Sequence, residues 1–330
     1  MNRRAMVFMC ALAAASACDK GSSGGMPTAK GSGPLSPAET ALLQRLPAGA
    51  NVVFGGNVYD AQRWMMNSPI GKLATAMMPA GMKSWTDCLA SQKYQMVGAG
   101  AVTDGALTMP MFMQGMPLDA LRGCATKADL PVETDADGKF VVVEVDQGTM
   151  TVKQAYLAVD GGVYTRVTMN LGGVIAGGAP EQITVTRADL ERDQAGLASA
   201  NLASDPRMVG WLAKVNRTKP FFFVGSAEGT AIADKLGMAY GSFDLADGMT
   251  VDVTVELREP GAAGEVMAKW SEVRGHLDQI PPSMSVIKDI IKAVRLGRTG
   301  DGLRIVARIT NPQLEAVMTQ LAPMLPQLGR

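Results

Sequence analysis

The chain has 330 residues, 47% of them hydrophobic, and its 31 Lys and Arg residues balance 31 Asp and Glu residues. A chain of this length can bury a sizeable core as one large domain or two small ones, and balanced charge without a basic patch argues against a nucleic-acid partner. His276 is the only histidine, which excludes metal sites built from several histidines.

The beginning of the chain has the layout of an export signal. Two arginines precede an apolar run over residues 5–17, which is shorter than the about 20 apolar residues of a membrane span. The run ends in "ASAC", residues 15–18, which resembles the lipobox of bacterial lipoproteins with Ala15 where that family usually has leucine. The resemblance implies a signal peptide over residues 1–17 and a diacylglycerol thioether on Cys18. The alternative is an ordinary signal peptide, which would leave Cys18 as a free or disulfide-bonded thiol.

Residues 18–37 follow as a stretch rich in Gly, Ser and Pro. Such a composition buries too little apolar surface to fold, so it predicts a flexible tether behind the lipidated Cys18. The protein would then lie in the cell envelope, facing the periplasm, with the membrane as its partner through the lipid anchor. Asp19, directly after the cysteine, favours the inner membrane in enteric lipoproteins, but that rule is not general across bacteria. The sequence therefore leaves the inner and the outer membrane open.

Asp-Gly pairs punctuate the rest of the chain. Between apolar or β-branched runs such a pair predicts a hairpin, because both central residues of a type I′ turn need positive φ. The five pairs are Asp104-Gly105, Asp137-Gly138, Asp160-Gly161, Asp247-Gly248 and Asp301-Gly302. The runs around them predict antiparallel strands.

Helical spacing is clear in three later segments. In residues 263–280 the spacing predicts one buried stripe, formed by Val266, Trp270, Val273, Leu277 and Ile280. Residues 283–297 repeat the pattern, and a last helix begins at residue 311 with a proline in its first turn. Together these elements predict an α+β fold in which antiparallel sheets carry amphipathic helices packed on one face.

Two segments of the chain are faintly similar. Residues 42–57 and 211–226 each give a short helix, a turn, an apolar strand and a glycine. An internal duplication and a chance similarity of α+β segments are both compatible with this pattern. We expect two α+β halves, residues 38–204 and residues 205–330, with the boundary near Asp205-Pro206.

The cysteines can be assigned once the lipobox resemblance is accepted. Cys10 leaves with the signal peptide and Cys18 carries the lipid, so the exported body keeps Cys88 and Cys124. Because exported compartments are oxidising, we expect a Cys88–Cys124 disulfide. Two buried free thiols are the alternative.

An acidic stretch matches part of a calcium-binding pattern. Glu133, Asp135, Asp137 and Glu144 have the spacing of the EF-hand loop. The first position is Glu where the pattern has Asp, and the segment that follows is strand-like where an EF-hand needs a helix. A hairpin with an acidic turn is therefore favoured over a calcium site.

A cluster of methionines suggests a second metal. Met109, Met111, Met113 and Met116 are close in sequence, and thioethers are the soft ligands that hold Cu(I). The chain has 23 methionines in all, which favours the use of methionine as a general core filler.

The sequence contains no convincing set of catalytic residues and no cofactor motif. We therefore expect a protein that is not an enzyme, needs no cofactor and works as a lipid-anchored binding or assembly component of the cell envelope. A periplasmic carrier of an apolar ligand or lipid is the alternative, and a hydrolase is the weaker one. Its partner would be an unknown envelope protein or an apolar ligand.

Overall fold

The computed structural model describes most of the chain after residue 30. The described residues are 31–57, 60, 68–69, 71–72, 78, 80–103, 106–146, 151–170, 181–227, 234–246, 248–259, 261–280, 285–300 and 302–321. The predicted signal peptide, Cys18 with its predicted lipid and the predicted tether up to residue 30 lie outside them. The chain falls into two compact units, termed unit A (residues 31–63 and 74–225) and unit B (residues 64–73 and 226–330).

Helices and antiparallel strands occur in both units, as the predicted α+β class requires. The helices are α1 Pro37–Leu43, α2 Ala80–Ser91, α3 Leu118–Lys127, α4 Arg187–Gly196, α5 Pro206–Lys214, α6 Ala262–Gly275, α7 Ser285–Ala293 and α8 Asn311–Leu321. Short 3-10 turns span Leu202–Ser204 and Leu277–Gln279. Among the helices that the structure describes, none has both the length and the apolar character that crossing a bilayer requires.

The strands are mostly long and pair with antiparallel neighbours. They are β1 Val52–Asn57, β2 Gln95–Thr103, β3 Ala106–Gln114, β4 Val132–Thr134, β5 Phe140–Asp146, β6 Thr151–Val159, β7 Gly162–Asn170, β8 Glu181–Ile183, β9 Phe221–Ser226, β10 Leu236–Asp244, β11 Met249–Leu257, β12 Val294–Thr299 and β13 Gly302–Ile309. The sheet of unit A has the order β9-β1-β2-β3-β7-β6-β5-β4, and β8 pairs with β7. The sheet of unit B has the order β12-β13-β11-β10.

Hairpin turns form where Asp-Gly pairs predicted them. Gly138 and Gly161 both have positive φ, 68° and 82°, and they join β4 to β5 and β6 to β7. The strands on either side of Asp104-Gly105 also pair, with Thr103 opposite Ala106, although the two turn residues lie outside the described part of the chain. Asp137 and Asp160 do not have positive φ, so these turns are not of type I′, and the predicted turn type is wrong although the predicted hairpins form. The glycine alone takes the left-handed conformation in each turn.

Helices pack on both faces of the sheet in unit A. Val163 of β7 belongs to a buried cluster with residues of α2 and α3, whereas the next residue, Tyr164, donates a hydrogen bond to Asp193 of α4. Since successive strand residues point to opposite faces, these helices lie on opposite sides. This differs from the expected one-sided packing, and the reason is visible in β7, where Val163, Tyr164 and Thr165 are all buried.

A disulfide joins the two helices of that buried cluster. Cys88 of α2 and Cys124 of α3 are bonded, with their Cα atoms 5.4 Å apart. The predicted pairing is therefore confirmed. Cys124 is buried beside Leu121 and Trp85, so the bond lies within the apolar core of unit A.

Unit B has a core on one face of its sheet. Trp270 and Ala263 of α6 pack with strand residues that include Leu296 of β12 and Ile305 of β13. Ile291 of α7 packs against the same cluster. Because Leu296 and Ile305 are directly opposite each other in the sheet, both helices cover the same face.

The predicted stripe on α6 is partly wrong. Trp270 and Leu277 are buried, but Val266 and Val273 are 38% and 46% exposed. The helix instead turns Ala263 toward the sheet and packs Met267 against the core. Trp270 belongs to two overlapping rows of residues on the helix, one through Val266 and one through Ala263 and Met267. The second row faces the sheet, because the small side chain of Ala263 allows the helix to approach the sheet closely.

The expected boundary at Asp205-Pro206 falls inside unit A. Asp205 caps α5 by accepting hydrogen bonds from the backbone N–H groups of Arg207 and Met208, at 3.0 and 3.2 Å. The strand that follows α5, β9, pairs along its length with β1. These contacts tie residues 205–225 to unit A, and the units divide between residues 225 and 226.

Candidate functional site

A cavity in unit A of about 320 Å³, termed the cleft, is the main candidate site. It is bounded by α1, α5 and the neighbouring ends of β1, β2 and β9. Its apolar lining residues are Leu35, Leu42, Leu43, Met96, Val97, Leu212, Pro220 and Phe222. Its polar lining residues are Glu39, Asn57, Asp60, Gln95, Arg217, Thr218 and Lys219. Pockets that bind small molecules begin at about this volume.

The lining of the cleft mixes apolar and polar groups. Leu43, Val97 and Leu212 are buried, at 3%, 4% and 0% exposure, whereas Asp60 and Gln95 are exposed. The buried part of the lining also contains a charged group, because the side chain of Arg217 is 3% exposed. The cleft therefore combines apolar and polar groups at every depth, with exposed polar residues at its mouth. An arrangement of this kind suits a ligand with an apolar body and a polar end.

Two glycines of β1 allow β9 to pack tightly against β1 in the wall of the cleft. A Cβ atom at Gly56 would lie 2.0 Å from the carbonyl oxygen of Pro220, and one at Gly55 would lie 2.6 Å from the ring of Phe222. Both residues must therefore be glycine for β9 and the Phe222 ring to approach β1 this closely.

The cleft lies between the two segments that are faintly similar in sequence. Their strands, β1 and β9, pair antiparallel with Phe54 opposite Phe223, and these two phenylalanines hold the same position within residues 42–57 and 211–226. Leu43 and Leu212 also hold the same position, and both line the cleft. The two segments thus face each other about a local two-fold axis within unit A.

The last residues of the predicted tether form one wall of the cleft. Residues 31–36, termed the strap, run along the end of α5. Ser32 donates a backbone hydrogen bond to the carbonyl of Val215 at 2.8 Å, and Gly33 donates one to Ala213 at 3.2 Å. Leu35 of the strap lines the cleft. This differs from the expectation of a tether that is flexible up to residue 37, because these backbone bonds fix residues 31–36.

Arg217 ties the strap to the helices. Its side chain is 3% exposed and pairs with Glu39 of α1 through Nε, at 2.7 Å. Nη2 donates to the carbonyl oxygens of Gly33 and Pro34, both at 3.1 Å, and Nη1 donates to the carbonyl of Leu212. One planar guanidinium therefore satisfies groups on three segments that surround the cleft.

Glu39 receives the charge of Arg217 and also caps α1. Its Oε2 accepts a hydrogen bond from the backbone N–H of Ser36 at 2.7 Å, and the Ser36 hydroxyl accepts one from the N–H of Glu39 at 3.3 Å. Burial by itself raises the pKa of Glu39, but the hydrogen bonds from Arg217 and Ser36 outweigh it and lower the pKa to about 2. Glu39 is therefore ionised at neutral pH, and the pair with Arg217 persists there.

A second, smaller cavity of about 90 Å³ lies in unit A beside Arg166 and Asp193. Arg166 donates to Asp193 at 2.9 Å, and burial raises the pKa of Asp193 despite this partner. A water molecule takes about 30 Å³ in the liquid, so this space fits a few waters and is too small for a ligand. The cleft is the better candidate.

Two residues of the calcium pattern bind an arginine. Arg187 of α4 contacts Asp135 and pairs with Asp137 through Nη2, at 2.8 Å. The hydrogen bond from Arg187 holds the pKa of Asp137 well below its usual range. Both carboxylates that flank the acidic turn thus share one protein cation, which also pairs with Glu191 at 2.7 Å.

The other two residues of the pattern lie elsewhere on the strands. Glu133 is exposed on β4, and Glu144 of β5 pairs with Lys153 at 3.3 Å. Since β5 continues as a strand where an EF-hand loop would lead into a helix, Glu144 does not return to the turn. In the part of the chain that the structure describes, no three His, Cys, Asp or Glu residues are grouped to hold a metal ion.

The methionines proposed for copper lie in and around β3. Met113 and Met116 are 6% and 1% exposed and pack in the apolar cluster of α2 and α3. Met109 and Met111 lie on the same face of β3 as Met113 by strand alternation. The packing of Met113 and Met116 against apolar side chains matches the core-filling interpretation.

Comparison with known proteins gives little. No protein family model and no curated protein matches the chain. Among solved structures, crystal form I of TP0453 is similar over 84% of this chain and 96% of that chain, with 11% identity and a TM-score of 0.43. Crystal form III of TP0453 is similar over 84% of this chain and 98% of that chain, with 11% identity and a TM-score of 0.46. We base no functional conclusion on a likeness this distant.

Proposed function

We propose that the protein is a lipid-anchored, non-catalytic binding protein of the bacterial cell envelope, and that it holds an amphiphilic ligand in the cleft. The observation that carries this proposal is the cleft itself, with about 320 Å³ of space and a lining in which half-buried apolar side chains, among them Leu42, Met96 and Phe222, lie beside polar ones. The lipobox resemblance of residues 15–18 supports the anchor. The Cys88–Cys124 disulfide supports an oxidising, exported location.

The volume limits the size of the ligand. If a methylene group takes about as much room as a water molecule, roughly 30 Å³, the cleft holds a chain of about ten carbons. A complete two-chain phospholipid is too large, so the proposed ligand is a single medium-length acyl chain with a polar end. Each buried methylene contributes about 0.8 kcal/mol before the entropy of binding is subtracted.

Ligand binding can be tested in a variant without the lipid. Cys18→Ser removes the acceptor, and the A-x-A site before it remains suitable for ordinary signal peptidase. We expect this protein to bind one fluorescent fatty acid of ten to twelve carbons and to release it to unlabelled decanoate. Absence of saturable binding would contradict the proposal.

A matched pair of variants locates the binding site. Leu42→Trp adds an indole to a residue that lines the cleft, whereas Ala41→Trp adds it to an exposed neighbour on the same helix. In the Cys18→Ser background, we expect Leu42→Trp to weaken binding about tenfold or more and Ala41→Trp to leave it unchanged. Leu35→Trp serves as a second filling variant if Leu42→Trp does not fold.

The anchor is tested separately by mass spectrometry of the amino-terminal peptide. We expect Cys18 to carry a diacylglycerol thioether. An unmodified thiol would remove the anchor from the proposal and leave the cleft as a binding site. Separation of the inner and outer membranes on a density gradient then decides which of them holds the protein.

Assembly with an envelope protein is the second candidate function. Val266 and Val273 are exposed, at 38% and 46%, and lie seven residues apart on one side of α6. Exposed apolar pairs of this kind suit a protein contact. Changing both valines to Ser should abolish recovery of a stoichiometric partner from cross-linked envelopes. If the variant and the wild type recover the same amount of partner, this surface is not the contact.

We also propose that residues 42–57 and 211–226 are copies of one ancestral segment. The equivalent placement of Leu43 and Leu212, and of Phe54 and Phe223, supports this. Aligned sequences of relatives should show the same residue preferences at equivalent positions of the two segments. Unrelated preferences would favour chance similarity.

A further inference from the structure

The chain approaches the cleft at the end of its tether. Residue 31 follows Cys18 by 13 positions, and at Gly31 a Cβ atom would lie 2.3 Å from the carbonyl oxygen of Ala213. This close contact with α5 is followed four residues later by Leu35, which lines the cleft. The lipid-bearing residue is thus attached, through a short segment, to the wall of the cleft.

The length of that segment allows the lipid to reach the cleft. Thirteen residues span at most about 45 Å when fully extended. The strap fixes one end of this segment, because Arg217 binds the carbonyls of Gly33 and Pro34. A group held on such a leash has an effective concentration near the millimolar range, which favours its binding over that of a free ligand.

The chemistry of the cleft matches one arm of the lipid. Half-buried Leu42, Met96 and Phe222 offer apolar surface in the cleft, and the volume admits about ten methylene groups. Exposed polar residues at the mouth, including Gln95 and Asp60, suit the ester and glycerol groups of a lipid head. A single acyl chain therefore meets both parts of the lining.

We propose that one acyl chain of the lipid on Cys18 occupies the cleft of the same molecule when the protein is outside the bilayer. The proposal rests on the amphiphile-binding function given above. One chain anchors a protein only marginally to a membrane, whereas two chains anchor it durably. Removing one chain from a lipid with two or three therefore changes the strength of the anchor, so the cleft competes with the membrane for it.

Photo-crosslinking of the intact lipoprotein tests this directly. Cells are fed a diazirine-bearing fatty acid that enters the lipid on Cys18, and the protein is purified in an amphipathic polymer and irradiated. We expect crosslinks from the lipid to peptides that carry Leu42, Met96 or Leu212. Leu42→Trp should lower their yield about tenfold or more, and Ala41→Trp should not.

Mixing experiments identify the source of the chain. Protein that carries the photoreactive lipid and normal isotopes is mixed with protein that carries heavy isotopes and no photoreactive lipid. If each lipid occupies the cleft of its own molecule, the crosslinked cleft peptides will contain normal isotopes. Heavy cleft peptides would show that a second copy supplies the chain and would overturn the proposal, as would crosslinks confined to lipid or polymer.

The outcome is distinguishable from failure of the proposed function. If the Cys18→Ser protein binds decanoate but the lipoprotein shows no cleft crosslinks, the cleft accepts only external ligands and this inference is wrong. If the Cys18→Ser protein binds nothing, the amphiphile-binding function is wrong as well. Leu35→Trp again provides a second filling variant.

Discussion

Unit A and unit B stabilise their sheets in different ways. Unit A has helices on both faces of its sheet and keeps a cleft whose wall is held by the ion pair of Arg217 and Glu39. Unit B packs α6 and α7 on one face around Trp270, and its ion pair of Arg304 and Asp252, at 2.7 Å, lies on the other face. An ion pair positions the wall of the cleft in unit A, whereas apolar packing is the main support of unit B.

The largest expected effect is loss of the disulfide. Replacing Cys88 and Cys124 by Ala opens a link across 36 residues, which is worth about 4 kcal/mol in the chain-entropy model. Hydrogen exchange followed by mass spectrometry should show faster exchange in α2, α3 and the strands they cover. Equal acceleration throughout unit B would show that the two units do not unfold separately.

Trp270→Ala should destabilise unit B, as loss of the disulfide destabilises unit A. Trp270 is 6% exposed, and removing a buried Trp costs about 3 to 4 kcal/mol. Trp270→Phe should cost less, because the indole N–H has no hydrogen-bond partner in the core and leaves with the side chain. Denaturant titration of both variants checks the order, and equal losses would reject the role given to the unpaired N–H.

Two arginine variants compare the ion pairs. Arg217→Ala leaves Glu39 and several carbonyls without their donor, and we expect a loss of about 3 kcal/mol together with faster exchange in the strap. Arg304→Ala removes a more exposed pair and should cost about 1 kcal/mol. Arg217→Lys should recover only part of the loss, because an ammonium group cannot reproduce the planar fork. If Arg217→Ala and Arg304→Ala lower the free energy of unfolding by similar amounts, the ion pair is no more important in unit A than in unit B.

A smaller effect than the loss of Arg217 is expected from the dependence on pH at Glu39. Its pKa is lowered to about 2 in the folded protein, against about 4.3 in an unfolded chain. The resulting stability is present above the unfolded pKa and is lost as the pH falls toward 2. Since the side chain is 33% exposed, we expect about 1 to 2 kcal/mol after solvent screening.

Glu39→Gln provides the measurement for this pH effect. The variant should be less stable than the wild type at pH 7 and should approach it near pH 2. Urea titrations at several pH values check this, and a constant difference over that range would contradict the assigned cause.

Local features of the fold were predictable from the sequence. The turns at Asp137-Gly138 and Asp160-Gly161 follow from backbone chemistry within a few residues. The disulfide was predicted from the small number of cysteines and from the export that the lipobox resemblance implies. The sequence Ser36-Pro-Ala-Glu39 also carries a capping-box signal, which could have shown that α1 begins there and that the strap is ordered.

Long-range contacts were not predictable in the same way. Arg217 and Glu39 are 178 residues apart, and an arginine in a loop carries no sign of its partner. The orientation of α6 was missed because the stripe through Val266 and the stripe through Met267 have the same helical period. Only the sheet beneath the helix decides between them.

The strap has a mechanical consequence. If the protein is anchored as proposed, a force transmitted along the chain enters the described part of the fold at the strap, where the backbone bonds of Ser32 and Gly33 to α5 and the clamp of Arg217 resist it. Leu35 lies directly behind them in the wall of the cleft. A pull strong enough to detach the strap would therefore open the cleft before it disturbed the core, so the proposed anchor and the proposed ligand would compete through the strap.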